Sequence, residues 1–153
     1  MSIQVKEMWE AYLKSIGEDI DYTDKTYEAW HFCNNEKDAN ELAFLTKNGV
    51  KQATAGLVKS YEVENEPIPK IGDLHIITDW NGYAICVIQV VSVEILPFKE
   101  VTEVHAKIEG EGDGSLDYWR KGHIKFFKQD AKELDFLFSE EMDVVFMIFK
   151  VVY

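Results

Sequence analysis

The segment Lys47-Asn48-Gly49-Val50-Lys51-Gln52-Ala53-Thr54 separates a helical part of the chain from a part rich in β-forming residues. Before this segment, apolar residues recur at three- and four-residue steps, which is typical of amphipathic helices. After it, runs of valine, isoleucine and threonine are bounded by turn residues, which is typical of strands. Gly49 ends the helical pattern, and Lys51 and Thr54 follow it in a segment that we expect to be extended.

Two helices and a short extended segment are predicted before this turn. Residues 5–16 carry an apolar stripe that stops at Gly17, and residues 27–32 form a short aromatic run. Asn34 or Asn35 then provides the N-cap of a second helix, which ends at Gly49.

The second part predicts an antiparallel sheet and two further helices. Asn81-Gly82 is a strong hairpin signal, because both central positions of the favoured two-residue turn need positive φ. Strands and helices do not alternate regularly, so a doubly wound parallel sheet is disfavoured. We expect an α+β fold with a small mixed or antiparallel β-barrel, or a curled sheet, and helices packed around it. The predicted strands are 54–63, 74–78, 83–95 and 143–152, and the predicted helices are 101–108 and one capped by Asp113 or Ser115.

Composition limits the class of protein. The chain has 153 residues, of which 46% are hydrophobic, and we expect a single domain over residues 1–153. A net charge of -12, from 28 acidic and 16 basic side chains, disfavours long duplex DNA or RNA as a ligand. Nucleosides, short single strands and peptides remain as possible ligands.

We find no export signal and no apolar run of the ~18 residues that span a bilayer, so we expect a cytoplasmic protein without a membrane partner. Cys33 and Cys86 lack metal-ligand spacing and predict buried, reduced thiols.

Lys51 and Thr54 are the first candidate catalytic pair. A lysine in a low-polarity pocket loses its proton more readily than in water, and a neutral amine can activate a hydroxyl for attack on an acyl carbon. Side chains three apart on a strand point to opposite faces, so the two groups converge only if the lysine lies in the turn. The alternative is a solvated lysine beside a structural threonine.

The segment Glu109-Gly110-Glu111-Gly112-Asp113-Gly114-Ser115 is the second candidate cluster, with three carboxylates spaced by glycines before a helix. Glycines permit close backbone approach, which suits a loop that bends over a ligand. The segment lacks the twelve-residue pattern of a calcium loop, so we expect no metal. The alternative is a plain acidic loop that caps the helix.

Aromatic side chains beside cationic ones form the third candidate set. Trp119 and His123 are four residues apart on one helical face, with Arg120 beside them, and such groups can stack on a base. Trp30 and His31 form a second aromatic pair. Both pairs are also typical of core or boundary residues. We find no phosphate-binding glycine loop, serine elbow or cysteine zinc site, and we expect no cofactor.

Two motifs together resemble a known family. The first is Gly-x-Lys-x-x-Thr, here Gly49, Lys51 and Thr54. The second, longer and more specific, is Glu-Gly-x-Gly-Asp-x-Ser-Leu-x-x-Trp-Arg-x-x-His, here residues 109–123. Both resemble the ASCH superfamily, in particular its larger bacterial members, whose domains are similar in fold to the PUA β-barrels of RNA-modifying proteins. The resemblance implies a cleft between barrel and helices for a nucleoside, a nucleotide or a short single-stranded RNA.

The resemblance also implies roles for single residues. Small bacterial members of this fold remove the acetyl group from acetylated cytidine, and by position their nucleophile, base and carboxylate fall on Thr54, Lys51 and Glu109. Glu111 is the alternative carboxylate. Many members carry an arginine two residues after the threonine, where this chain has Gly56. The expected ligand-binding residues are Gly49, Trp30, Glu111, Asp113, Trp119, Arg120 and His123.

The alternative to an amidohydrolase is a non-catalytic RNA- or protein-binding regulatory module. The sequence leaves the substrate and the oligomeric state open.

Overall fold

A computed structural model describes residues 2–153. Over these residues the chain forms five strands and five α-helices, with one short 3-10 turn at Phe98–Glu100. The strands are β1 (Glu28–Trp30), β2 (Ala53–Leu57), β3 (Leu74–Thr78), β4 (Ala84–Pro97) and β5 (Asp143–Val151). The helices are α1 (Val5–Ser15), α2 (Glu36–Lys47), α3 (Val58–Val63), α4 (Glu103–Glu109) and α5 (Leu116–Glu133).

The strands form one curled, half-barrel sheet in the order β1-β3-β4-β5-β2. Every pairing is antiparallel except that of β1 with β3, which is parallel. The predicted α+β fold, with a mixed sheet and helices around it, is confirmed. Of the described helices, none has both the length and the apolar character needed to cross a bilayer.

Side-chain caps start two of the helices where the sequence predicts them. Asn35 caps α2 and accepts a hydrogen bond from the Asp38 amide, and Ser115 caps α5 and accepts from the Tyr118 amide. A polar side chain at this position satisfies an amide that has no partner inside the helix.

The strand predicted over residues 54–63 is wrong in its second half. Strand β2 stops at Leu57, and the chain continues as α3. Leu57 pairs with Val144, and β5 begins only one residue before Val144, so residues after Leu57 have no strand left to pair with. Ser60 then donates a hydrogen bond to the carboxylate of Asp130, which holds α3 against α5.

The predicted hairpin forms with a different turn. Gly82 N donates to Asp79 O at 3.1 Å, and Asp79 N donates to Tyr83 O at 2.9 Å. Gly82 has φ +87°, whereas Asn81 keeps a negative φ. The connection is therefore a three-residue loop that ends on a left-handed glycine, instead of a two-residue turn with two positive φ values.

The core consists of three clusters around the sheet. Helix α1 packs on one face, and α2 packs on the cluster that contains Ile77, Ile88 and Met147. Helix α5 packs where Leu57 and Val144 meet. Cys86 is buried, as predicted, whereas Cys33 is only half-buried.

Candidate functional site

Contacts between backbone atoms bring the two predicted clusters together. Gln52 N donates to Ile108 O at 3.0 Å, which ties the end of α4 to the segment after Gly49. Gly110 has φ +69°, and a Cβ at this position would lie 2.2 Å from Val50 O. Only glycine fits this approach.

Lys51 lies at the floor of the resulting site with 1% of its surface exposed. Its Nζ donates to Ala53 O at 2.8 Å and lies 3.3 Å from Glu109 Oε2 and 3.7 Å from Glu111 Oε1. Nζ also lies 5.0 Å from the centre of the Phe32 ring. The lysine predicted from the sequence is thus buried among acids and is not a solvated surface residue.

Glu109 is equally buried, and three groups surround its carboxylate. Oε1 accepts from Trp119 Nε1 at 3.0 Å, and Oε2 lies 3.3 Å from both Lys51 Nζ and His123 Nε2. Burial opposes the charged carboxylate, but the adjacent Lys51 and His123 outweigh it and hold the pKa of Glu109 well below its usual value. Glu109 is therefore a permanent anion at neutral pH.

His123 is oriented by the helix that carries it. Its Nδ1 lies 2.8 Å from Trp119 O, which can only accept, so Nδ1 carries a proton. The ring stacks on Trp119, with centroids 3.9 Å apart. Nε2 then points to Glu109 at 3.3 Å and Glu111 at 4.0 Å. Burial opposes the charged ring, but the Glu109 carboxylate outweighs it and raises the pKa of His123.

Glu111 is the acid that titrates near neutral pH. Burial, reinforced by the Glu109 charge and only partly offset by Lys51, raises the pKa of Glu111 to about 7. One ligand atom each from Glu109, Glu111 and His123 lies within 4.8 Å of the others, which is a set that metal ions use. Lys51 Nζ, which contacts both acids, already supplies a cation to this set.

The four ionisable groups open into a cleft of about 1960 Å³. Thr54 also lines it, on the same face of the sheet as its pairing partner Met147. Within residues 2–153, Lys51 Nζ hydrogen-bonds to Ala53 O and Glu109, not to the Thr54 hydroxyl. The Lys51 amine nevertheless contacts the peptide bond between Ala53 and Thr54.

Some of the other predicted ligand residues line the cleft, and some lie outside it. Trp30, Glu111, Trp119 and His123 line the cleft. Gly49, Asp113 and Arg120 are not among the residues that line it. Gly49 closes the turn after α2, and Asp113 is exposed and accepts from the Ser115 amide at 2.8 Å. Arg120 lies over the Phe98 ring and pairs with Glu140.

The cleft residues that sequence reasoning missed include Tyr61, Phe32 and His75. Tyr61 lies over Gly56, where a Cβ would be 3.2 Å from the tyrosine ring, and burial raises the pKa of Tyr61 to about 12. The Phe32 ring packs against Lys51 Nζ, and His75 also lines the cleft. Only His75 carries a sequence signal, as a lone imidazole within an apolar strand.

Comparisons with known proteins agree with this architecture. The family model of the ASCH domain matches residues 28–153. The crystal structure of an ASCH domain from Lactobacillus crispatus JV V101 is 36% identical, with a TM-score of 0.90 over 97% of this chain and 93% of that one. Protein EF3133 from Enterococcus faecalis V583 is 30% identical, with a TM-score of 0.85 over 96% and 86%. No curated protein matches the chain.

A more distant structure shares the fold alone. Hypothetical protein PH0355 is 19% identical, with a TM-score of 0.54 over 82% of this chain and 99% of that one.

Proposed function

Since the chain belongs to the ASCH domain family, we propose that its cleft binds a nucleoside and hydrolyses the amide of an acylated base such as acetylated cytidine. The observation that carries the proposal is the buried ion pair of Lys51 and Glu109 in the cleft that Thr54 also lines. Buried ionisable clusters in clefts are typical of sites for proton transfer.

The charge of the cleft favours a neutral nucleoside over a phosphorylated ligand. Carboxylates outnumber amines along the walls and floor. A phosphate would be repelled by these acids, whereas a base and a sugar would not. The acids that line the cleft are Asp24, Glu28, Asp38, Glu41, Glu66, Asp73, Glu109 and Glu111, and the lysines are Lys25, Lys51, Lys70 and Lys125.

The proposed first step is attack of Thr54 on the acyl carbon. Lys51 transfers a proton to Glu111 across the 3.7 Å separation, and the resulting neutral amine takes the proton of the Thr54 hydroxyl. Glu111 suits this role because its pKa of about 7 is close to the operating pH. Glu109 remains ionised and holds Nζ in place. For this transfer, Lys51 Nζ has to leave its hydrogen bond to Ala53 O and contact the Thr54 hydroxyl instead.

The second step releases the products. The tetrahedral intermediate collapses, and the C–N bond breaks as the leaving amine takes a proton from Lys51. An acyl ester on Thr54 remains. Water then attacks this ester and gives its proton through the same lysine to the departing Thr54 oxygen. Free acid and the original threonine are regenerated, and Glu111 returns its proton to Lys51.

Release of cytidine tests the proposal. The purified chain is incubated with N4-acetylcytidine, and cytidine is quantified by chromatography. We expect Thr54→Val, which keeps the shape but removes the hydroxyl, to lower the rate by at least about 100-fold. Thr54→Ser keeps a hydroxyl and is the matched control. No release by the unaltered chain, or equal release by Thr54→Val, would overturn the proposed reaction.

A binding module without catalysis is the second candidate. It is favoured by Gly56, which stands where the resemblance predicts an arginine, and by the half-buried Tyr61 ring that packs over it. An aromatic surface suits a base and provides no phosphate clamp. Titration with short single-stranded RNA at two ionic strengths tests this candidate. Because this surface lacks a phosphate clamp, we expect an affinity that changes little with salt. Affinity that falls steeply with salt would indicate contacts with phosphates and would contradict this mode of binding.

A further inference from the structure

His75 provides a second polar group in the cleft, which the proposed reaction does not use. It lies on β3 and is 7% exposed. In the parallel pairing of β1 with β3, Glu28 is opposite His75 and Trp30 is opposite Ile77. Because alternate residues of a strand share a face, Trp30 and His75 project from the same face of the sheet. Both line the cleft.

The Trp30 indole determines which nitrogen of His75 carries the proton. Trp30 Nε1 donates to His75 Nδ1 at 3.0 Å. An indole N–H can only donate, so Nδ1 accepts with its lone pair, and the proton of the neutral ring is on Nε2. Burial lowers the pKa of His75 despite the nearby carboxylates of Glu28 and Asp73, so the ring is neutral at pH 7.

The resulting Nε2–H donor has no hydrogen-bond partner in the part of the chain that the structure describes. Its accessible surface is below 1 Å², and it alone among the buried side-chain nitrogens and oxygens there is unpaired. Buried donors are nearly always paired, because an unpaired one loses its hydration without compensation. Nε2–H lies just beneath the surface of a residue that lines the cleft, so a ligand acceptor that displaces the atoms covering it would satisfy this donor.

One side chain links this donor to the site described above. The Phe32 ring centre lies 4.9 Å from that of Trp30 and 5.0 Å from Lys51 Nζ. The Trp30–His75 pair and the Lys51–Glu109 pair therefore border the same stretch of the cleft.

We propose that His75 Nε2–H donates a hydrogen bond to an uncharged acceptor of the ligand, a carbonyl oxygen or an unprotonated ring nitrogen of the base. Trp30 is the positioning residue that keeps the proton on Nε2. The inference rests on the proposed nucleoside ligand and specifies its class, which is bases that present a bare acceptor on the edge facing His75. A ligand N–H at the same place would meet another donor and be rejected.

Binding and histidine nitrogen NMR test this inference on the full chain, with N4-acetylcytidine as the probe. In the unaltered chain we expect Nε2 of His75 to be the protonated nitrogen and its resonance to move when the nucleoside is added. We expect His75→Phe to weaken binding roughly five- to tenfold, the usual value of one hydrogen bond. His105→Phe, the same change at an imidazole that does not line the cleft, is the matched control and should leave the affinity unchanged.

Trp30→Phe keeps His75 but removes the indole donor, and it supports the test if His75→Phe folds poorly. We expect a mixture of the two imidazole tautomers and a smaller loss of affinity. Unchanged affinity in His75→Phe, or an Nε2 resonance that does not move at saturation, would overturn the inference. Binding is measured apart from cytidine release, so a chain that binds through His75 without hydrolysis overturns only the proposed reaction. Absence of any binding by the unaltered chain overturns both.

Discussion

Removing the buried amine is the sharpest test of how the site is held together. Lys51→Met keeps the length of the side chain but deletes Nζ, which leaves Glu109 charged at 1% exposure without its main counter-ion. Breaking a buried ion pair by removing one partner costs about 3–5 kcal/mol. Trp119 and His123 still contact Glu109 after the change. We therefore expect the lower end, a loss of about 3 kcal/mol in the free energy of unfolding.

Urea unfolding at pH 7, followed by tryptophan fluorescence, measures this loss. In a thermal unfolding experiment, the same loss of about 3 kcal/mol lowers the melting temperature of a chain of 153 residues by about 6–12 °C. Lys121→Met is the matched control, because Lys121 pairs with Asp117 at 3.0 Å on the exposed face of α5. We expect no measurable loss there, since exposed pairs contribute little.

A double-mutant cycle separates the pair from other effects of the substitution. Glu109→Gln keeps an acceptor for Trp119 but removes the charge. We expect Lys51→Met to cost much less in the Glu109→Gln background than alone, with a coupling energy of about 1–3 kcal/mol. A loss of under about 1 kcal/mol for Lys51→Met alone would refute the burial of an ion pair at this position.

Three further predictions concern the same region. The free energy of unfolding should fall from about pH 5 to 8, because Glu111, with its pKa raised from 4.5 to about 7, and His123, with its pKa also raised, bind protons more strongly when folded. Glu111→Gln should flatten this fall. Gly110→Ala should cost more than about 3 kcal/mol through strain and overlap, whereas Gly114→Ala, also at positive φ but in open space, should cost about 1–2 kcal/mol. Trp119→Phe should cost about 1–3 kcal/mol, because it leaves a buried oxygen of the site without its donor.

Denaturant titrations measure all three. Stability that rises with pH over this range would contradict the pKa shift of Glu111, because its sign is fixed by stronger proton binding in the folded state. Equal losses for the two glycine substitutions would contradict the contact between Gly110 and Val50. An unchanged midpoint in Trp119→Phe would show that the indole donor is replaced by solvent.

Much of the fold could be predicted because its signals are local. Asn35 and Ser115 cap helices through side chains close to the amides that they satisfy, and strand β3 is an apolar run between turn residues. The break after Leu57 could not be predicted in this way. Residues 58–63 include β-forming valines and a tyrosine, and they form a helix because the partner strand ends and Asp130 holds Ser60. These causes lie far away in the sequence.

The site could be predicted only as far as its motifs extend. The meeting of Lys51 and Glu109 follows from the family resemblance, because nothing local indicates that residues 58 positions apart should touch. Arg120 lies over the Phe98 ring instead of in the cleft. Its position next to Trp119 along the chain does not predict this packing. The bond from Trp30 to His75 depends on parallel pairing of two strands, which the sequence pattern does not specify.

The close approach of Gly110 to Val50 has a consequence for how the protein tolerates changes in length. Main-chain atoms, not side chains, set the spacing between the lysine and the acid. A residue inserted between Glu109 and Glu111 would move one acid out of reach, since no rotamer can restore a shifted backbone. An insertion among the exposed residues just before Ser115 would only enlarge a surface turn. Circular permutation or tag insertion should therefore be directed to that turn.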